Sequence, residues 1–172
     1  MSLLYQIGSN PFDSSKLEES KTYQRKHIDL EPADPEPYYW VGVIDWALAY
    51  RANQKLRSAY NDTARSSVRD DVPLPDPLRE QFSREYGAAV DEGIENLKKA
   101  IKLRPDYDDA LAYLNLLYRQ KADQFSTRSE REEYLQMADD LIDKVKEIKV
   151  KKMCAQGSGA QRPQACPESP PH

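Results

Sequence analysis

The stretch Tyr38–Tyr50, YYWVGVIDWALAY, holds both tryptophans of the chain, three of its tyrosines and one charged residue, Asp45. Apolar and polar residues do not alternate along it, so it is not a half-buried strand. It is too short for a bilayer, which takes about 20 apolar residues. No nucleophile or base stands beside its aromatics, which argues against an active-site wall. A helix that is apolar all round is enclosed all round. The stretch therefore reads as a core helix with neighbours on every side, and Val41, Ile44 and Leu48 are expected to face the core.

Helical periodicity recurs on the carboxyl side of this stretch. Val90, Ile94, Leu97 and Ile101 follow one another at spacings of three and four, and Leu111, Leu114, Leu117 and Tyr118 form a second set. A third stripe runs through Tyr134, Ala138, Leu141, Ile142, Val145 and Ile148. No segment shows strand alternation, so the predicted fold class is all-α. Punctuation agrees with this. Asp76 reads as an N-cap with Pro77 at the first helical position. Ser129 with Glu132, and Ser15 with Glu18, each read as a capping box. Pro32 and Pro105 stand just past periodic segments, where a helix has to stop.

Composition narrows the function classes. With 25 Lys and Arg against 29 Asp and Glu, the net charge is −4. The surplus of acid lies in residues 1–150, since the tail carries Lys151, Lys152 and Arg162 against Glu168 alone. An acidic body argues against nucleic acid as a partner. Basic runs mixed with acids, as in EESKTYQRK, read as a solvated face. The only cysteines, Cys154 and Cys166, lie in the tail, and the only histidines are His27 and His172. That inventory offers no zinc-ligand spacing, no glycine-rich phosphate loop and no catalytic constellation, so no metal, cofactor or enzymatic activity is expected. Residues 151–172, rich in Gly, Ser, Gln and Pro, are expected to be disordered. A Cys154–Cys166 disulfide and two free thiols both remain open. The amino terminus lacks a basic-then-apolar leader pattern. Location is left open between the cytoplasm and a periplasm reached by a removed leader.

Two segments can be laid over one another: YQRKHIDLEPADPEPYYWVG and NLKKAIKLRPDYDDALAYLN. Each is a helix, then Leu, a polar residue, Pro, an acidic turn, and a helix opening with large apolar residues. The chain here resembles the tetratricopeptide repeat family, whose unit follows W-x2-L-G-x2-Y…A-x3-F…P. A first unit over 1–34 places Leu4, Ile7, Gly8 and Pro32 on that pattern. A second opens at Pro35 with Tyr38, Val41 and Gly42, and closes with Gly93, Leu97, Ala100 and Pro105. A third opens at Asp108 with Leu111, Leu114, Asn115 and Tyr118, followed by Ala138, Ile142 and Val145. Pro11, Gln24, His27 and Asp45 depart from the pattern, and the second unit carries a long insert over 51–89. Much of that insert is expected to lengthen its flanking helices, with VPLPDP as the loop between them. The resemblance implies a right-handed stack of about three antiparallel helix pairs over 1–150, from a bacterial source by analogy. Gly8 and Gly42 would sit where paired helices come closest.

The resemblance also implies a concave groove lined by the first helices of the units. Tyr39, Val43, Trp46 and Tyr50 fall on that side, with Tyr5, Ser9, Ala112, Leu116 and Arg119. Arg119 is the only charged residue among them, which argues against clamping a terminal carboxylate. The groove either takes an apolar or aromatic peptide segment or is filled by the chain's own insert. The expected function is a non-catalytic scaffold that binds a protein or peptide through Tyr39, Val43, Trp46, Tyr50, Leu116 and Arg119. The alternative is a self-associating structural module, such as a homodimer. Asp45, if buried, needs a hydrogen-bond partner, with a tyrosine hydroxyl or a backbone amide as the expected donor.

Overall fold

A computed structural model describes residues 14–63, 68 and 72–156. The described residues form five helices and no strand: α1 (Ser14–Leu30), α2 (Pro35–Thr63), α3 (Asp76–Leu103), α4 (Asp108–Ala122) and α5 (Arg128–Gln156). The expected repeat positions at Leu4, Ile7, Gly8 and Pro11, the groove positions Tyr5 and Ser9, and Cys166 lie outside the described residues. Cys154 takes part in a disulfide.

Local chemistry sets each boundary. Helix α1 ends at Leu30 and Pro32 follows in the turn. Asp34 caps α2, its Oδ1 accepting the Glu36 amide at 3.0 Å, while Pro35 fills the first helical position, where a missing N–H costs nothing. Helix α3 starts at Asp76, the residue expected to be its cap, so start and cap each fall one residue earlier than expected. Pro75 occupies the cap position, its carbonyl accepts the Leu78 and Arg79 amides at 3.0 and 2.9 Å, and Asp76 pairs with Arg79 inside the first turn. The cap of α5 also differs from the expectation. Two overlapping boxes are written in TRSERE, and the structure uses Thr127 with Glu130 rather than Ser129 with Glu132. The Thr127 hydroxyl accepts the Glu130 amide at 3.3 Å and donates to the Glu130 carboxylate. At the other end, α5 runs to Gln156, past the boundary expected at 150. Lys151, Lys152, Met153 and Ala155 are good helix formers that simply continue the last turns.

Consecutive helices pack on one another, and α2 also meets α4. Helices α2 and α3 run antiparallel along most of their length. Glu36 meets Arg104 at one end, Gly42 meets Leu97 and Gly93 near the middle, and Arg57 reaches the Val72 carbonyl at the other end. Both extend well into the 51–89 insert. Their crossing is close because both sides are glycine. A Cβ at Gly42 would come within 2.4 Å of Leu97 Cγ, and one at Gly93 within 2.8 Å of both Asp45 Cβ and Leu117 Cδ1. Helices α4 and α5 form a second antiparallel pair, with Asp108 against Lys152 and the Asn115 amide donating to the Ala138 carbonyl. Asn115 thus fills with a hydrogen bond the place where α2 uses bare backbone.

The core is continuous. Ala49, Ala52, Phe82, Val90, Ile94, Leu97 and Ala100 of the first pair join Ala110, Leu111, Leu114, Leu117, Ala138 and Leu141 of the second. Val41 and Ile44 are fully buried as expected, while Leu48 is only half-buried. Ile142 departs from its expected stripe and is 36% exposed. Three and four residues from Ala138 lie Leu141 and Ile142, and only Leu141 turns inward. Among the described residues, no helix is long and apolar enough to cross a membrane.

Candidate functional site

Six residues expected to line a groove lie along the face of α2 and α4, and the structure treats them in two groups. Tyr39 and Val43 are covered from within, and half-buried Trp46 links them to the second group. Val43 is buried at 8% exposure. Tyr39 packs between Tyr107 and Tyr113, with ring centroids 4.9 and 5.8 Å away, and Trp46 meets Tyr113 edge-on at 5.2 Å. Trp46 then stacks on Tyr50 at 5.3 Å. The result is an unbroken file of rings, Tyr107–Tyr39–Tyr113–Trp46–Tyr50, that glues α2 to α4 and ends in the open at Tyr50, which is 40% exposed. Burial pushes the Tyr39 and Tyr107 phenols well above their ordinary range, and for Tyr107 the Glu36 carboxylate that accepts its hydroxyl at 2.8 Å adds to the effect.

The second group opens into a cavity. Trp46, Tyr50, Leu116 and Arg119 line a depression of about 280 Å³ between α2, α4 and α5, together with Asn53, Arg57, Gln120, Asp123, Arg131 and Leu135. Its aromatic wall is the Trp46–Tyr50 stack, and its apolar side is Leu116 and Leu135. Its base is polar and mutually satisfied. Arg57, 3% exposed, donates to Asp123 at 2.9 Å and to Asn53 Oδ1 at 2.7 Å. The Asn53 amide in turn donates to Asp123 and Gln120. Burial raises the Asp123 carboxyl above the usual carboxylate range, against the pull of Asn53, Arg57 and Arg131. Arg119 bonds Asp139 at 2.6 Å on the rim. The lining carries Arg57, Arg119 and Arg131 against the single carboxylate of Asp123. A planar or branched apolar group could rest on the Trp46–Tyr50 face with an anionic neighbour beside the arginines.

Sequence reasoning missed two features here. Asn53, Arg57 and Gln54 come from the 51–89 insert, so part of the insert builds the cavity. Arg57 and Asp123 are far apart in sequence and carry no local signature of pairing. The second feature lies on the other side of α2. Asp45 is fully buried, and its partner is neither a tyrosine nor a backbone amide but Lys21 of α1. Lys21 is 4% exposed and also donates to Glu92 at 2.8 Å, which Arg25 grips from outside. The EESKTYQRK segment is thus not wholly a solvated face, since one of its lysines points into the core. Asp45 Oδ2 has no hydrogen-bond partner. Burial drives the Asp45 carboxyl up to about 7 even though Lys21 opposes it. Burial also raises Glu92, but Lys21 and Arg25 outweigh it and leave Glu92 below its ordinary value.

No family model, curated protein or solved structure matches this chain.

Proposed function

We propose that the chain is a non-catalytic helical scaffold of tetratricopeptide-like build whose cavity between α2, α4 and α5 takes a short protein segment. The observation that carries this reading is that Trp46, Tyr50, Leu116 and Arg119, chosen as groove residues, converge on one opening. Stacked aromatics beside arginines are the residue types that dominate protein interfaces. The favoured ligand is a peptide with a bulky apolar side chain next to an acidic residue. The first would lie on the rings and the second near Arg119 and Arg131.

Selection from a displayed peptide library against the whole chain tests this. Enriched peptides should share the apolar–acidic pair, and Tyr50→Ala and Trp46→Ala should each weaken them by about tenfold or more while helical content is kept. A library that yields no shared pattern, or folded variants that bind as the parent does, would refute it.

A self-associating module is the second reading. It is supported by Tyr39 and Val43 being covered internally, and by Tyr23 and Leu30 of α1 standing 60% and 81% exposed, seven residues apart on one helical face. Light scattering that reports one monomeric mass across the micromolar range would rule out that reading.

A further inference from the structure

The turn between α1 and α2 brings together three side chains from which the sequence reading drew no ligand set. His27 Nε2 lies 3.8 Å from a Glu31 carboxylate oxygen and 3.7 Å from Asp34 Oδ2. The three donor atoms all fall within 4.8 Å of one another. Neither His27 contact is a hydrogen bond, because an N–H···O bond closes to about 2.7–3.2 Å. The separations are instead somewhat longer than the edges of a tetrahedron around a small ion, so the three side chains would draw in slightly on binding one. With bonds of about 2.0–2.2 Å, such edges measure about 3.3–3.6 Å. We propose that His27, Glu31 and Asp34 form a binding site for one divalent cation of the zinc class.

The surroundings suit that role. Asp34 Oδ1 is occupied as the cap of α2, so Oδ2 is the oxygen turned toward His27. A carboxylate oriented by a second hydrogen bond is the usual state of a metal ligand. The backbone between the ligands is fixed. The Glu31 amide donates to the His27 carbonyl at 2.8 Å and the Asp34 amide to the Glu31 carbonyl at 3.0 Å, while Pro32 and Pro35 restrict the chain on either side. From Ile28 to Pro37 the sequence carries Asp29, Glu31, Asp34 and Glu36 and no lysine or arginine; Arg104, paired with Glu36 at 2.7 Å, offsets part of that charge. An imidazole with two carboxylates suits zinc and its transition-metal neighbours, whereas calcium asks for six to eight oxygens. Glu31 and His27 are both open to solvent, which leaves a fourth position for water. A bound ion would stitch the last turn of α1 to the first turn of α2.

Calorimetric titration of the full chain with Zn²⁺ alone, followed in parallel by nitrogen NMR of the imidazoles, tests the assignment. One zinc per chain should bind and shift the His27 ring nitrogens but not those of His172. His27→Gln and Asp34→Asn should each weaken zinc by about tenfold or more, with helical content and metal-free melting unchanged. Asn at 34 keeps an oxygen for the cap, so a loss there reports the ligand and not the helix start. An excess of Mg²⁺ should not compete. Absence of saturable zinc uptake, or uptake unchanged in either variant, overturns the proposal. The second outcome would place the metal on other side chains, such as His172, instead.

Discussion

Replacing Gly42 by alanine should destabilise the protein even though alanine is the better helix former. The helix gains about 1 kcal/mol from the substitution in the abstract. Against that, the new methyl would sit 2.4 Å from Leu97 Cγ, 2.8 Å from Leu97 Cδ2 and 3.1 Å from the Gly93 carbonyl. Leu97 is fully buried, and the atom struck first is near its root, so the clash cannot be relieved by swinging a side-chain tip. Helix α3 has to move as a body. Overpacking of this kind costs about 1–3 kcal/mol, and the geometry favours the upper end, which leaves a net loss of about 2 kcal/mol. For a chain of this size that lowers Tm by about 4–8 °C. Gly87→Ala is the matched control on the same pair of helices. Its methyl would meet only the end of the Gln124 side chain at 3.3 Å and Ser83 Oγ at 3.7 Å. Gln124 can shift, so the propensity gain survives and Tm should rise by about 2–4 °C. Thermal melts followed by circular dichroism read both. A Gly42→Ala protein that melts at or above the parent temperature, or two variants that shift in the same direction, would refute the claim that α2 and α3 are in backbone contact here.

Asp45 makes stability depend on pH. Its carboxyl titrates near 7 when folded and near 3.8 by the ordinary value, so the folded state holds the proton more tightly between those limits. The contribution of Asp45 therefore declines as pH rises from about 4 to about 7, by a few kcal/mol at about 1.4 kcal/mol per unit. Glu92, shifted the other way, works against this at the acid end. The difference between parent and Asp45→Asn isolates the term. In urea titrations the variant should gain on the parent as pH is raised from 5 to 8, and a constant difference would contradict the assignment. At the start of α5, Thr127→Ala should cost about 1 kcal/mol in the same titrations while Ser129→Ala costs little. The reverse order would restore the Ser129 cap.

What could be seen in the sequence was what depends on neighbours along the chain. Pro32 and Pro105 marked helix ends because proline cannot continue a helix, and Gly42 marked a close approach through its place in the Val41-Gly42 pair that resembles the repeat pattern. Choices between equivalent local signals were harder. TRSERE contains two capping boxes, and only the turn arriving from Asp123 decides between them. Pairings across space were not legible at all. Lys21 sits among charged residues that look alike, and nothing in EESKTYQRK distinguishes the lysine that meets Asp45 from those that meet water. Arg57 and Asp123 likewise become partners only once α2 and α4 are side by side. His27, Glu31 and Asp34 stand close in sequence, yet their convergence depends on how the chain reverses at Pro32.

The buried ammonium of Lys21 also settles how α1 can seat. Greasy surfaces permit a helix to slide, because one apolar contact is worth about as much as the next. Slipping α1 by one residue would turn Lys21 by about 100° and carry it about 1.5 Å along the axis. Lys21 would then be left without its carboxylate in the interior and Asp45 would have to take up a proton to stay buried, at a cost of several kcal/mol. The Lys21–Asp45 contact therefore works as a keyed joint that admits α1 in a single register.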